Sequence, residues 1–366
     1  MTALPHIQYF LGVNGPTGFY SLFSELLPTS QARAIYILKG GPGCGKSTLM
    51  GQVAARMEKE GLETEYIVCS GDPDSLDAVI FPALGVAIVD GTSPHVVEPK
   101  CPGAVDRYVN MGVCYDLEAL WPLHQKILNT MDGYKGHYQR AYRCLGASAD
   151  IFEDQRSALL TDALSQKLAK RAHGILQREL PGKKYAETGQ VKQRFLSCVT
   201  YQGKVCQFDT AIGQCKRLYE LVDHYGLAHE ILIHLLAGGV ARGYDVVACP
   251  DPMAPKRLAH LLIPQQGVAF LSTESDHALP TRPYRRIHLD TAVDRDLLQK
   301  NRPRLQFSKK VSTALMDEAV KSLAQAKSMH DDLEELYHPY VDFSRADQIA
   351  QDIGDEILSF RSQMNL

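Results

Sequence analysis

At 366 residues the chain is long for a single core, so two domains are expected, and a formal charge of −3 with a pI near 6.5 leaves no electrostatic footprint for nucleic acid. The nine cysteines are odd in number and never spaced CxxC, which points to a reducing, cytoplasmic setting with neither a disulfide framework nor a zinc cluster. Residues 1–10 lack a basic start and a long apolar core, and no later run of about 18 apolar residues occurs, so neither a signal peptide nor a membrane span is expected.

In chain order, residues 9–13 read as a short strand, 14–18 (NGPTG) as a turn and 19–27 as a helix. Residues 35–38 (IYIL) form an apolar strand that runs straight into Gly40, Gly41, Pro42, Gly43, Cys44, Gly45, Lys46, Ser47 and Thr48. This is GxxxxGK[ST] after a strand and before a helix, the context a phosphate-binding loop requires. Glycines let successive backbone N–H groups turn inward around phosphate oxygens, and the following helix adds its positive end. Lys46 is expected to reach the β- and γ-phosphates of ATP, and the Ser47 hydroxyl to ligate Mg²⁺. The helix carries Leu49, Val53 and Met57 on one face and ends near Gly61.

Residues 65–69 read as a second strand, 74–80 as a short helix and 85–90 (GVAIVD) as a third strand, and such alternation implies a parallel α/β sheet flanked by helices. Asp90 ends four apolar residues at a strand tip, where a carboxylate would hold hydrated Mg²⁺; a turn or helix-capping role is the alternative. Asp72 and Asp74 compete for the metal role, although either could serve a turn or an N-cap. His95 falls just past Asp90, where a residue orienting an attacking water would sit, or a loop histidine satisfied by backbone.

Residues 116–180 turn helical, with Leu117, Leu120, Leu123 and Ile127, then Leu159, Leu160, Leu164 and Leu168, at helical spacing. They suggest two long helices packed as an arm, with Trp121 and Tyr138 in its core, and 181–190 follows as a linker. The chain then starts again. Tyr219, Leu221, Gly226 and Leu232 echo Tyr36, Leu38, Gly43 and Leu49, and Gly267, Val268, Ala269, Ser275 and His277 echo Gly85, Val86, Ala87, Ser93 and His95. We read a duplicated P-loop half, 1–188 and 189–366, each with a long helical arm. Opposite the phosphate loop stands DHYGLAHEI. With an offset that drifts by small deletions along the chain, Asp223 replaces Gly40, Ala228 replaces Gly45, His229 replaces Lys46 and Glu230 replaces Ser47, while Ser272 faces Asp90. Carboxylates where phosphate oxygens would lie are repulsive by about 4 kcal/mol per close pair at an effective dielectric of 20.

On these residues the chain resembles the P-loop NTPase superfamily, and within it is similar to poorly characterised bacterial ATPase-like proteins with two fused P-loop halves. The resemblance implies ATP binding with Mg²⁺ and hydrolysis in the first half. The departures at His229 and Glu230 imply no second site. A P-loop kinase acting on an unknown acceptor and a non-catalytic ATP-sensing scaffold are the alternatives, with a small-molecule or protein partner left open. Two further groups are weaker. His330, Glu334, Glu335 and His338 share one helix as metal ligands or a solvated face, and Arg282, Arg285 or Arg286 could act as an arginine finger or as surface charge.

Overall fold

The computed structural model describes residues 6–28, 30–182, 187–274 and 278–364. Strand β1 (Ile7–Tyr9) and the hairpin β2 (Gly12–Gly15) and β3 (Gly18–Ser21) precede β4 (Ala34–Lys39), α1 (Lys46–Lys59), β5 (Glu65–Val68), β6 (Leu76–Phe81), β7 (Val86–Asp90) and β8 (Asp106–Asn110). Helices α2 (Leu117–Leu120), α3 (His124–Leu159) and α4 (Asp162–Glu179) follow. The chain then makes β9 (Val191–Gln193), the hairpin β10 (Ser197–Thr200) and β11 (Gly203–Cys206), α5 (Phe208–Gln214), β12 (Arg217–Val222) and α6 (Ala228–Ala241). It closes with β13 (Val246–Asp251), β14 (Ala254–Ile263), β15 (Val268–Thr273), β16 (Arg285–His288), α7 (Arg295–Tyr337) and α8 (Phe343–Met364).

These elements build two six-stranded, mostly parallel sheets flanked by helices. Their orders are β1-β5-β6-β7-β4-β8 and, read from the matching edge, β9-β13-β14-β15-β12-β16. Strand directions agree pair by pair: β6 and β14 each run antiparallel to both neighbours, and the remaining pairings are parallel. The two hairpins form a third sheet, β11-β10-β2-β3, that joins the two larger ones. In β4 and β7 the near-continuous apolar sequence is divided by the two-residue period. Ile35, Ile37, Ala87 and Val89 face one core, and Tyr36, Leu38, Val86 and Ile88 face the other.

Two expected helices are strands. Residues 74–80 contain the start of β6, because Leu76 and the run Ala78 to Phe81 are inserted between β5 and β7 with nearly every side chain buried. The first sheet is therefore mixed, not wholly parallel. Residues 19–27 give β3 and one 3₁₀ turn at Phe23–Glu25, since β3 completes the joining sheet instead of covering a face.

The helical arms are exchanged. Helix α8 follows the second sheet in sequence, yet its Ala346, Ala350, Ile353 and Ile357 pack with Leu49, Val53 and Met57 of α1. Helix α4 follows the first sheet and packs its Leu164, Leu168 and Ile175 with Ile231, Leu232 and Leu235 of α6. The long helices α3 and α7 lie along each other through Ala141, Leu145, Ala319 and Leu323. Residues 116–180 thus do not fold back on themselves as a single arm. Trp121, expected in a core, is 72% exposed and stacks on His124, whereas Tyr138 packs against the α3–α7 seam. Among the described residues no helix is long and apolar enough to cross a membrane. Residues 183–186 of the expected linker, and the echoes Ser275 and His277, lie outside the described residues.

Candidate functional site

The loop Gly40–Thr48 spans the turn from the end of β4 into α1, and β4 lies in the first sheet between β7 and the edge strand β8. Gly43 (φ +68°) and Gly45 (φ +84°) adopt left-handed backbone that side-chain-bearing residues avoid. At Gly40 a Cβ would lie 2.7 Å from Met111 Cβ and 2.8 Å from Cys44 Sγ. The parallel register of β4 and β7 sets Asp90 beside Leu38, just before the loop. Lys46 Nζ donates to the carbonyls of Gly40 (2.9 Å) and Gly41 (2.8 Å) and lies 3.5 Å from Asp90 Oδ2. Asp90 Oδ1 accepts from Thr92 N (2.9 Å) and Thr92 Oγ1 (2.6 Å). Ser47 Oγ accepts from Leu76 N at 3.0 Å, which fixes the hydroxyl and leaves its own proton free, and Thr48 is exposed on the first turn of α1.

Elements from far along the chain cover this loop. A Cβ at Gly43 would stand 3.2 Å from the carbonyl oxygen of Glu334 near the end of α7, and one at Gly45 3.8 Å from Phe343 and Ala346 at the start of α8. Tyr115 donates its hydroxyl to Pro42 O at 3.0 Å. Cys44 stands among glycines just before a helix N-terminus, a setting that favours a reactive thiol where the sulfur is open. It is instead 1% exposed, with its thiol donating to Gly41 O at 3.1 Å. Under native conditions an alkylating reagent should modify half-buried Cys101 well before Cys44, and mass spectrometry of timed digests would check that order.

His95 is buried at 7% exposure, with Phe19 and Phe23 against its ring, and its Nε2 lies 3.2 Å from Asp77 Oδ1. Burial alone would lower the pKa of this imidazole, but the Asp77 carboxylate, helped by Asp90, raises it above the ordinary value. Asp77, which the sequence reading passed over, is buried on β6, and Cys69 follows the last residue of β5. Asp72 is occupied by its own turn: it accepts from Asp74 N (3.3 Å) and Ser75 Oγ (3.0 Å) and lies 3.4 Å from Lys327 Nζ.

The corresponding loop of the second sheet, between β12 and α6, has a different content. Leu258 N donates to His229 Nδ1 at 3.1 Å, just as Leu76 N donates to Ser47 Oγ at 3.0 Å. The buried faces agree with this register, since Ile231, Leu232 and Leu235 take the places of Leu49, Met50 and Val53. The second loop is therefore one residue shorter, and Ala228, not His229, stands where Lys46 does. Asp223 turns its carboxylate into the loop and accepts from Tyr225 N (3.1 Å) and Ala228 N (2.7 Å), so an internal anion takes the converging N–H groups. Glu230, aligned by sequence with Ser47, faces away and pairs with Arg156 at 2.8 Å. Phe152 and Arg156 of α3 cover Gly226, as α7 covers Gly43.

The remaining candidates lie elsewhere. Arg285 and Arg286 sit on edge strand β16 of the second sheet and line a cavity of about 610 Å³ with Arg171 and Arg178. Arg286 is bonded to Glu220 at 2.5 Å, and Arg282 is exposed on the preceding loop. On α7, ligand atoms of His330, Asp331 and Glu334 come within 4.8 Å of one another, without Glu335 or His338, and Asp331 pairs with Lys327.

No family model, no curated protein and no solved structure matches this chain.

Proposed function

We propose that the first sheet carries a single Mg²⁺-dependent ATP site and that the protein is an ATPase or ATP-driven switch. The observation that carries this reading is the loop Gly40–Thr48 joining β4 to α1, with Lys46 3.5 Å from Asp90 at the tip of the adjacent parallel strand. The residues fit the ligand. Left-handed glycines leave room for backbone approach, Lys46 rests on carbonyl oxygens that a phosphate would replace, and Ser47 and Asp90 supply two oxygens suited to a hard cation. The matching strand orders and directions support reading the two sheets as copies of one P-loop unit. The carboxylate of Asp223 and the alanine at 228 support reading the second copy as empty of nucleotide.

The cover over the loop favours a switch. The end of α7 packs against Gly43 and the start of α8 against Gly45, so a nucleotide bound at the loop would lie beside both, and α7 extends over 43 residues toward the second sheet. Binding energy would thereby be coupled to the position of the arm. The kinase alternative draws no support from Asp72, whose carboxylate is engaged in its own turn.

Calorimetry of the full chain should give one Mg-ATP site. Ser47→Ala should keep nucleotide binding while cutting Mg²⁺-dependent phosphate release by about 10²-fold, because metal ligation and phosphate charge compensation are separate tasks. Two equivalent sites per chain, or binding lost on changing His229, would overturn the assignment. Turnover appearing only with an added acceptor would transfer it to a kinase.

A further inference from the structure

Beside the phosphate loop, three segments that the sequence keeps apart converge. Cys69 follows β5, Asp77 lies on β6, and His95 lies on the loop after β7. One potential ligand atom from each comes within 4.8 Å of the other two. Asp77 and His95 are 3% and 7% exposed, and each retains a buried polar atom, Asp77 Oδ2 and His95 Nδ1, with no hydrogen-bond partner among the described residues. Buried polar atoms are nearly always satisfied, so two orphans in one cluster ask for something that binds both. Burial first, and the Asp77 charge second, push the Cys69 thiol well above its ordinary pKa, so by itself it is a poor nucleophile. Reactive-cysteine chemistry therefore does not explain the arrangement.

We infer that Cys69, Asp77 and His95 form a binding site for a borderline-soft divalent cation of the Zn²⁺ class. A thiolate, an imidazole and a carboxylate are the ligand types this class combines, and three protein ligands leave a fourth position open. With bonds of about 2.0–2.3 Å, a tetrahedral ion holds its ligands about 3.3–3.8 Å apart, a spacing compatible with ligand atoms that all lie within 4.8 Å of one another. The net charge of thiolate and carboxylate cancels that of the ion, which suits a buried site; binding releases the thiol proton to solvent. A hard cation such as Mg²⁺ would avoid the sulfur, so this site is chemically distinct from the Ser47 and Asp90 oxygens. The absence of CxxC spacing does not bear on it, because the ligands come from three strand ends. A histidine bound to a metal gives up its lone pair and cannot also take a proton from an attacking water, so the site assigns His95 to the metal.

Co²⁺ is a suitable probe, because a cobalt–thiolate bond gives a near-ultraviolet charge-transfer band. The full chain, stripped with a chelator and titrated with Co²⁺, should bind one equivalent with that band, and Zn²⁺ should displace it. Cys69→Ser should abolish the band, and Asp77→Asn and His95→Gln should each weaken Co²⁺ affinity by at least about tenfold. His330→Ala should leave it unchanged, which separates this site from the α7 cluster, and in Lys46→Ala the band should persist, which separates it from the nucleotide site. In the unaltered chain, Zn²⁺ should slow alkylation of Cys69, a readout that needs no variant to fold. A band that survives Cys69→Ser, the absence of any band, or unprotected Cys69 at saturating Zn²⁺ would overturn the proposal.

Discussion

Lys46→Ala should reduce ATP turnover by about 10²–10³-fold and weaken Mg-ATP binding to the point where calorimetry detects none, while leaving the fold intact. The ammonium lies 2.8–2.9 Å from two loop carbonyls and 3.5 Å from Asp90, with its side chain only 11% exposed. It is already held where phosphate oxygens would arrive, so little reorganisation is needed when they do. Removing it takes away the cation that offsets phosphate charge and leaves Asp90 facing that charge alone. The cost to stability is smaller, about 1 kcal/mol for the lost hydrogen bonds, because water can reach the mouth of the loop. Urea unfolding alongside phosphate release would separate the two effects. Parental turnover in Lys46→Ala would place the chemistry elsewhere.

The glycine-built turn from β4 into α1 was legible because its backbone requirement is written in single residues. A left-handed backbone at 43 and 45 needs glycine, and the helix that follows starts at Lys46. Strand β6 was not legible. A short apolar run after Asp74 fits a buried strand and the first turn of a buried helix equally well, and only pairing with β5 and β7 decides between them. Residues 19–21 were misread for a related reason, since β3 belongs to a sheet completed by β10 and β11 from the other half.

The exchange of helices was invisible for a different reason. The apolar face of α8 announces that it is buried without naming its partner, and α1 and α6 offer similar surfaces. The one-residue shortening of the second loop shows that the deletion falls inside the loop and not after it. Burial and the shared bond to Leu76 N or Leu258 N place His229 opposite Ser47, so Ala228 is the residue that stands opposite Lys46. The cluster of Cys69, Asp77 and His95 left no signal, because no spacing along the chain encodes a convergence of three strand ends.

The largest effect on stability is expected at Glu65, where the two halves are joined through charge. Glu65 opens β5 of the first sheet and is fully enclosed; its carboxylate is bonded to Lys192 of β9 and, at 2.5 Å, to Arg194 Nε. Arg194 is 1% exposed and also donates to the carbonyls of Glu25 (2.6 Å) and Leu26 (3.1 Å), so one guanidinium ties the second half to the first. Glu65→Gln would leave that cation buried without its counter-charge, and should cost about 3–5 kcal/mol, read as a lower urea midpoint at pH 7. Burial alone would raise the pKa of Glu65, but Arg194 and Lys192 outweigh it and hold the carboxyl below the ordinary range. The folded pKa lies below the unfolded value of about 4.3, so this contribution is complete above that value and is lost as pH falls through the folded one. The gap between parent and variant should therefore close under acid while persisting at neutral pH. Adding Arg194→Met to Glu65→Gln should recover much of the loss, because an apolar replacement removes the unpaired charge instead of stranding it. A double variant no more stable than Glu65→Gln would mean that the arginine's bonds to the Glu25 and Leu26 carbonyls, and not its pairing with Glu65, hold the halves together.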